Sequence, residues 1–225
     1  MDLLLANVAL WRGKPKEAIE LADAARTIFT DLPDAWGEIQ AIVPIARGEL
    51  FLGHLDHALD MAAEMDPVAA RLVGSPTAML APLVRAQLLV HAGDPRALEA
   101  ANSIGASVEI ITVGAEYATA RGLALLQTGR VDEAINELEA GHGDVRWHAP
   151  SPSAGAALAL AYAAAGRAPE ALEVSIQVGP TAVSFLDEIQ YLAGIAFAQL
   201  QLGDAEAALE RFIEMIVLAD STGSR

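Results

Sequence analysis

Six glycines recur along this chain at nearly constant spacing: Gly13, Gly53, Gly93, Gly129, Gly166 and Gly203, separated by 40, 40, 36, 37 and 37 residues. After each comes an alanine and then an aliphatic residue, as in Ala18-Ile19, Ala58-Leu59, Ala134-Ile135, Ala171-Leu172 and Ala208-Leu209. Gly93 reaches Ala97-Leu98 one residue early. A glycine that closes one helix, followed by the start of another with a small residue on its buried face, describes a helix hairpin. Repetition at this period describes a stack of hairpins rather than one globular core. Apolar residues recur at spacings of three and four, as at Leu123 and Leu126 or Leu158 and Tyr162, which excludes the alternation of a strand. The spacing predicts an all-α chain of about six helix-turn-helix repeats and about twelve helices.

The repeats fall at about 1–31, 32–67, 76–104, 107–141, 151–179 and 180–220, read as a single domain. Their helices are expected at 2–12 and on to 30, 34–52 and 54–65, 76–92 and 95–103, 107–128 and 131–140, 151–165 and 168–177, and 181–202 and 204–220. Pro15 suits a helix opening, where the first amides are unpaired in any case. Asp94 reads as a cap with Pro95 as the first helical residue, and Asp66-Pro67 as the end of the second unit. Pro44 and Pro82 lie inside helices, where each frees a carbonyl and kinks the axis. The run from Gly141 to Pro150 is the longest irregular stretch.

Composition narrows the function classes. Fourteen Lys and Arg against thirty Asp and Glu give a net charge of −16, which repels phosphate backbones, so direct nucleic-acid binding is not expected. A basic or neutral partner fits better. The chain has no cysteine, which excludes disulfides and is compatible with a cytoplasmic protein. No apolar run reaches the roughly 18 to 20 residues of a membrane helix, and no signal peptide is evident. Both ends read as cut from something longer. Leu3, Leu4, Leu5, Val8 and Leu10 at one end, and Phe212, Ile213, Ile216 and Val217 at the other, sit on no polar capping helix, so homodimerisation through the terminal repeats is an expectation.

With Gly122 seven residues before Gly129, then Ala134 and Leu138, the fourth repeat resembles a tetratricopeptide unit. That resemblance implies a right-handed superhelical solenoid. These units exceed the usual 34 residues and lack most of the customary aromatic positions. Longer, alanine-rich units are similar to the sensor regions of large bacterial transcriptional regulators of the maltose-regulon activator type, in which the superhelix binds a small inducer or a partner protein. The phosphate-binding loop of that family is absent, and Arg12-Gly13-Lys14-Pro15 does not replace it.

No catalytic constellation emerges: there is no cysteine nucleophile and no Gly-x-Ser-x-Gly turn, and Asp132, Glu133 and Glu137 read as a solvated face. No cofactor is implied. His54, Asp56, His57 and Asp60 invite a metal reading, but their spacing does not bring three or four ligands together, so they are read as surface residues. His142 and His148 flank Trp147 in the irregular stretch, read as a connector with Trp147 tucked onto the stack. The informative register is the one facing the expected concave groove. Counting back six residues from each turn glycine gives Asn7, Arg47 and Gln87, then Leu123, Leu160 and Phe197; counting back two gives Trp11, Phe51 and His91, then Gln127, Ala164 and Gln201. Planar donors beside rings suit a polar small molecule such as a sugar, and Gln40 and Glu116 fall on the same surface. Ordinary interhelix packing of the rings is the competing reading.

Two functions therefore stand open, a non-catalytic sensor module of a regulator binding a small inducer or a partner protein, and a scaffold recognising a peptide segment. If the turn alanines lie at helix crossings, Ala134→Leu or Ala208→Leu should cost about 1 to 3 kcal/mol by overpacking, read as a lowered melting temperature. A raised melting temperature would contradict the register.

Overall fold

The computed structural model describes residues 1–104, 114–143, 151–178 and 184–222, which form twelve α-helices, with no strand among the described residues. The chain divides into two compact units, Met1–Gly105 with Ser221–Arg225, and Ala106–Asp220. In the first unit α1 (Asp2–Trp11), α2 (Pro15–Asp31), α3 (Ala35–Phe51), α4 (Leu55–Ala69), α5 (Leu80–His91) and α6 (Ala97–Ile104) pack each on the next, with short 3-10 turns at Ala70–Leu72 and Pro76–Met79. The helices that open each hairpin also meet one another, α1 against α3 and α3 against α5. The second unit repeats the plan with α7 (Gly114–Gln127), α8 (Val131–His142), α9 (Pro152–Ala164), α10 (Ala168–Val178), α11 (Phe185–Gln201) and α12 (Ala205–Thr222), and α9 touches both α7 and α11.

All six turn glycines adopt left-handed backbone, with φ from 67° at Gly13 and Gly93 to 85° at Gly203. At each turn the amide after the glycine donates to a carbonyl five residues back. Lys14 N to Ala9 O (2.9 Å) and Arg130 N to Leu125 O (3.0 Å) are two cases. This bond absorbs a carbonyl that a helix end leaves unpaired, and it requires a residue free to take positive φ. The turn alanines are the crossing points the sequence predicts: Ala18, Ala58, Ala134 and Ala171 are wholly buried, and Ala97 and Ala208 nearly so. A second row of small residues stands seven positions before each glycine. Ala6, Ala46, Ala86, Gly122, Ala159 and Ala196 are all buried, and a Cβ on Gly122 would lie 2.4 Å from Leu138 Cγ. Small residues thus face the partner helix from both members of a hairpin, which allows close axis separation.

In the first repeat the aliphatic residue after the turn alanine makes the contact to the next repeat. Ile19 of α2 lies against Gly48 of α3, where an added Cβ would come within 2.7 Å of it. Three ion pairs tie hairpins or turns together on the outside, Arg26 with Glu64, Arg71 with Glu38, and Arg85 with Asp66. At exposed positions such pairs add at most about 1 kcal/mol each, so packing decides the stack.

Several local expectations need correction. Pro67 does not end the second unit. It lies inside α4, which continues to Ala69 because Met65 and Val68 keep the apolar face buried. Pro82 is the third residue of α5, where its missing amide would be unpaired anyway, so it frees no carbonyl. Pro44 is inside α3, where the sequence places it, and the helix continues from Ala35 to Phe51. Pro95 is not the first residue of α6, which starts at Ala97. The Asp94 carboxylate is occupied by the Arg96 backbone amide at 2.8 Å and by its guanidinium at 2.9 and 2.7 Å, which holds a turn at that point. Pro15 opens α2 and Ser184 closes a capping box with Asp187 at α11. Expected helical residues 107–113 and 181–183 lie outside the described residues.

Two glycine substitutions should separate strain from crowding. Gly129 has nothing within 4 Å of an added Cβ, so Gly129→Ala should cost only the left-handed backbone penalty of about 1 to 2 kcal/mol. A Cβ on Gly37 would lie 2.1 Å from the Phe29 ring, so Gly37→Ala should cost about 1 to 3 kcal/mol. In urea titrations Phe29→Ala should suppress the second penalty and leave the first intact.

Candidate binding surface

The polar register lies on the hairpin-opening helices of the first unit. Arg47 on α3 donates from Nη2 to Oε1 of Gln87 on α5 at 2.6 Å, so two residues forty positions apart meet side by side. His91 stands one turn beyond Gln87 and within the field of Arg47. His91 is exposed at the surface, yet desolvation by the protein packed around it, with Arg47 adding to it, lowers its pKa from 6.5 to about 4. The imidazole is therefore neutral at pH 7, able to donate from one nitrogen and accept at the other. The row thus contains a fixed cation, a carboxamide and a neutral imidazole.

The remaining candidates divide. Trp11 ends α1 with 42% of its surface exposed. Phe51 is half-buried and packs on Ala9, Leu10 and Ala18, so its ring belongs largely to the interhelix core. Asn7 donates to Leu3 O within its own helix at 2.9 Å. Gln40 is half-buried on α3, and its carbonyl loses a helical partner because Pro44 has no amide. Glu116 belongs to the other unit, exposed in the first turn of α7. In that unit the register differs: Leu123 is buried in the core and Phe197 is 44% exposed, while Gln201 donates to Ala163 O at 2.5 Å, one repeat away.

A residue the register count missed is Glu49, whose carboxylate is nearly buried. His54 Nδ1 lies 2.8 Å and His57 Nδ1 3.4 Å from its Oε2. The two histidines thus brace a carboxylate beside the α3–α4 turn. Asp56 instead acts on Arg96, and no group of three or more His, Asp or Glu among the described residues is placed to hold a metal ion. The signal available was the acid five residues before His54. In the second unit Tyr162 Oη donates to Glu139 at 2.6 Å beneath the Arg167 guanidinium, 4.4 Å from the ring centroid. Burial first, then this bond, pushes the phenol up to about 12. His142 ends α8 with Nδ1 3.2 Å from Ser151 O and packs where Gly155 leaves room. It belongs to the helix stack, not to a connector. Trp147 and His148 lie outside the described residues. Glu137, expected to be solvated, pairs with Arg121, and Glu133 pairs with Arg130.

No protein-family model matches the chain, and no curated protein matches it. Among solved structures it is similar to a Rap protein complexed with Competence and Sporulation Factor. The match has a TM-score of 0.77 and 16% identity over 96% of this chain. The fold is tetratricopeptide-like. The chain spans 62% of the Rap chain's length. A Podosopora anserina kinesin light chain with nearly identical TPR-like repeats, 18% identical over 98% of this chain and 94% of its own, superposes at a TM-score of only 0.38. No helix among the described residues is long and apolar enough to cross a membrane.

The lowered His91 pKa sets a pH window. Between about pH 6.5 and 4 the unfolded chain binds a proton at His91 that the folded chain does not, so its contribution to stability falls with falling pH. The difference in unfolding stability between wild type and His91→Gln should change across that window and level off below it. In an NMR titration Arg47→Ala should raise the His91 pKa.

Proposed function

We propose that this chain is a non-catalytic interaction module that recognises a segment of a partner protein across α3 and α5 of its first unit. The observation that carries the reading is the Arg47–Gln87 bond beside the neutral His91 ring. Donors from successive repeats, held in fixed relation to each other, suit the repeated carbonyls of an extended peptide, and the exposed Trp11 ring offers apolar area for a side chain. The likeness to a Rap protein complexed with Competence and Sporulation Factor is one of architecture, and stacked helical hairpins of this kind build extended surfaces suited to partner segments. Within this reading the partner segment is neutral or carries local acid to meet Arg47.

A second reading keeps the same row for a small polar ligand such as a sugar, with the chain as the sensor region of a larger transcriptional regulator. The His91 imidazole one turn from the Gln87 carboxamide supports it, because a neutral ring that both donates and accepts can orient hydroxyl groups beside an amide.

A thermal-unfolding screen of the chain against peptides, sugars, nucleotides and amino acids separates these. A ligand at 100 times its dissociation constant adds about 2.7 kcal/mol to the folded state. On the peptide reading, peptides raise the melting temperature and sugars do not. Arg47→Ala should abolish that shift, and losing its bond to Gln87 should cost about 0.5 to 1.5 kcal/mol of stability. A shift with one sugar class alone would favour the sensor, and unchanged peptide affinity in Arg47→Ala would remove the site from α3 and α5.

A further inference from the structure

The outer face of α12 carries four large apolar side chains that stand exposed among the described residues. Leu209 is 58% exposed, Ile213 51%, Ile216 61% and Val217 62%. At about 100° per residue these four fall within an arc of about 100°, one continuous stripe along the helix. Their register tells what shape belongs there. Leu209 follows the turn alanine Ala208, just as Ile19 follows Ala18 and Ile135 follows Ala134. Ile19 is covered by Gly48 of the next hairpin, and Ile135 is 5% exposed. The position is one this architecture covers with a helix.

The borders of the stripe tell the charge. On one side Phe212 turns toward α11 and meets Phe197 edge to face, ring centroids 5.5 Å apart, with Phe197 itself 44% exposed. On the other side stand Glu210 and Glu214, and Glu206 and Asp220 lie near the two ends. The one basic residue of α12, Arg211, pairs with both Glu210 at 3.6 Å and Glu214 at 2.7 Å, so the edge stays net negative. A second copy of this chain would bring the same acidic edge to the same face, on a molecule of net charge −16.

We propose that the exposed face of α12 is a docking site, separate from the α3 and α5 surface, for an amphipathic helix of a partner protein whose apolar stripe is bordered by lysine or arginine. The partner helix lies along α12 with its apolar residues over Leu209, Ile213, Ile216 and Val217. Its basic edge lies over Glu210 and Glu214, and the Phe197–Phe212 pair forms the dry margin opposite.

The test uses two fluorescent 18-residue helical peptides with the same Leu/Ala stripe, one edged with Lys and Arg and the other with Glu, titrated with the whole chain. The basic peptide should bind, more weakly as salt rises, and the acidic one should not. Ile213→Asn with Ile216→Asn should weaken binding at least tenfold with the circular dichroism unchanged, since both positions are exposed. Glu210→Gln with Glu214→Gln leaves Arg211 uncompensated and should weaken the basic peptide while flattening its salt dependence. Equal binding of both peptides, or binding of neither, would overturn the proposal. So would a doubled mass in light scattering that the Ile213→Asn, Ile216→Asn variant abolishes, because the face would then belong to a second copy.

Discussion

Everything in this structure depends on two helices approaching closely enough to share small residues, and on the glycine that reverses the chain between them. The left-handed backbone at Gly13 and its five counterparts lets the following amide reach back and satisfy a helix end within a few residues. With so short a turn the paired helices start side by side, and only alanine or glycine fits at the crossing. That is why Ala18, Ala58, Ala134 and Ala171 have no exposed surface, and why Gly122 leaves no room for a methyl group against Leu138. Stability is then distributed along the stack, each hairpin owing its burial to its neighbours.

The same geometry explains where polar chemistry can gather. When hairpins stack with a constant register, one position of each opening helix lines up with its equivalent in the next, so residues one repeat apart become neighbours. Arg47 and Gln87, each six residues before its turn glycine, meet for this reason; in the other unit Gln201 reaches the Ala163 carbonyl of the preceding repeat. A surface made this way is built from single residues of successive repeats, and its character can change from one unit to the next without disturbing the fold. In the first unit the row is polar. In the second, Leu123 and Phe197 take the equivalent positions, one inside the core and one partly exposed.

Where local reading went astray, tertiary packing or a nearby charge was the reason. Pro67 looked like a terminator, but the buried pair Met65 and Val68 gains more from a continued helix than one missing amide costs. Asp94 does accept the amide two residues on, as a cap would, but its carboxylate also holds the Arg96 guanidinium and α6 begins at Ala97, not at Pro95. His54 and His57 are exposed as their sequence suggests, but their partner Glu49 was overlooked because it lies on the other side of the turn, where only the reversal brings it near. Phe51 fell in the right row by count but turns its ring into the packing of α1 and α2.

The periodic glycines, the alanines after them and the spacing of apolar residues determined the helical hairpins and their register, because those are consequences of short-range backbone geometry and of volume at a crossing. Counting in that register was enough to select Arg47, Gln87 and His91 as members of one surface. Only the tertiary structure decided that Arg47 bonds Gln87, that the His91 pKa falls below its ordinary value, that Glu49 gathers two histidines, and that Leu209 and its neighbours stand uncovered. Each of those depends on distances and desolvation set by residues remote in sequence, and no local pattern encodes them.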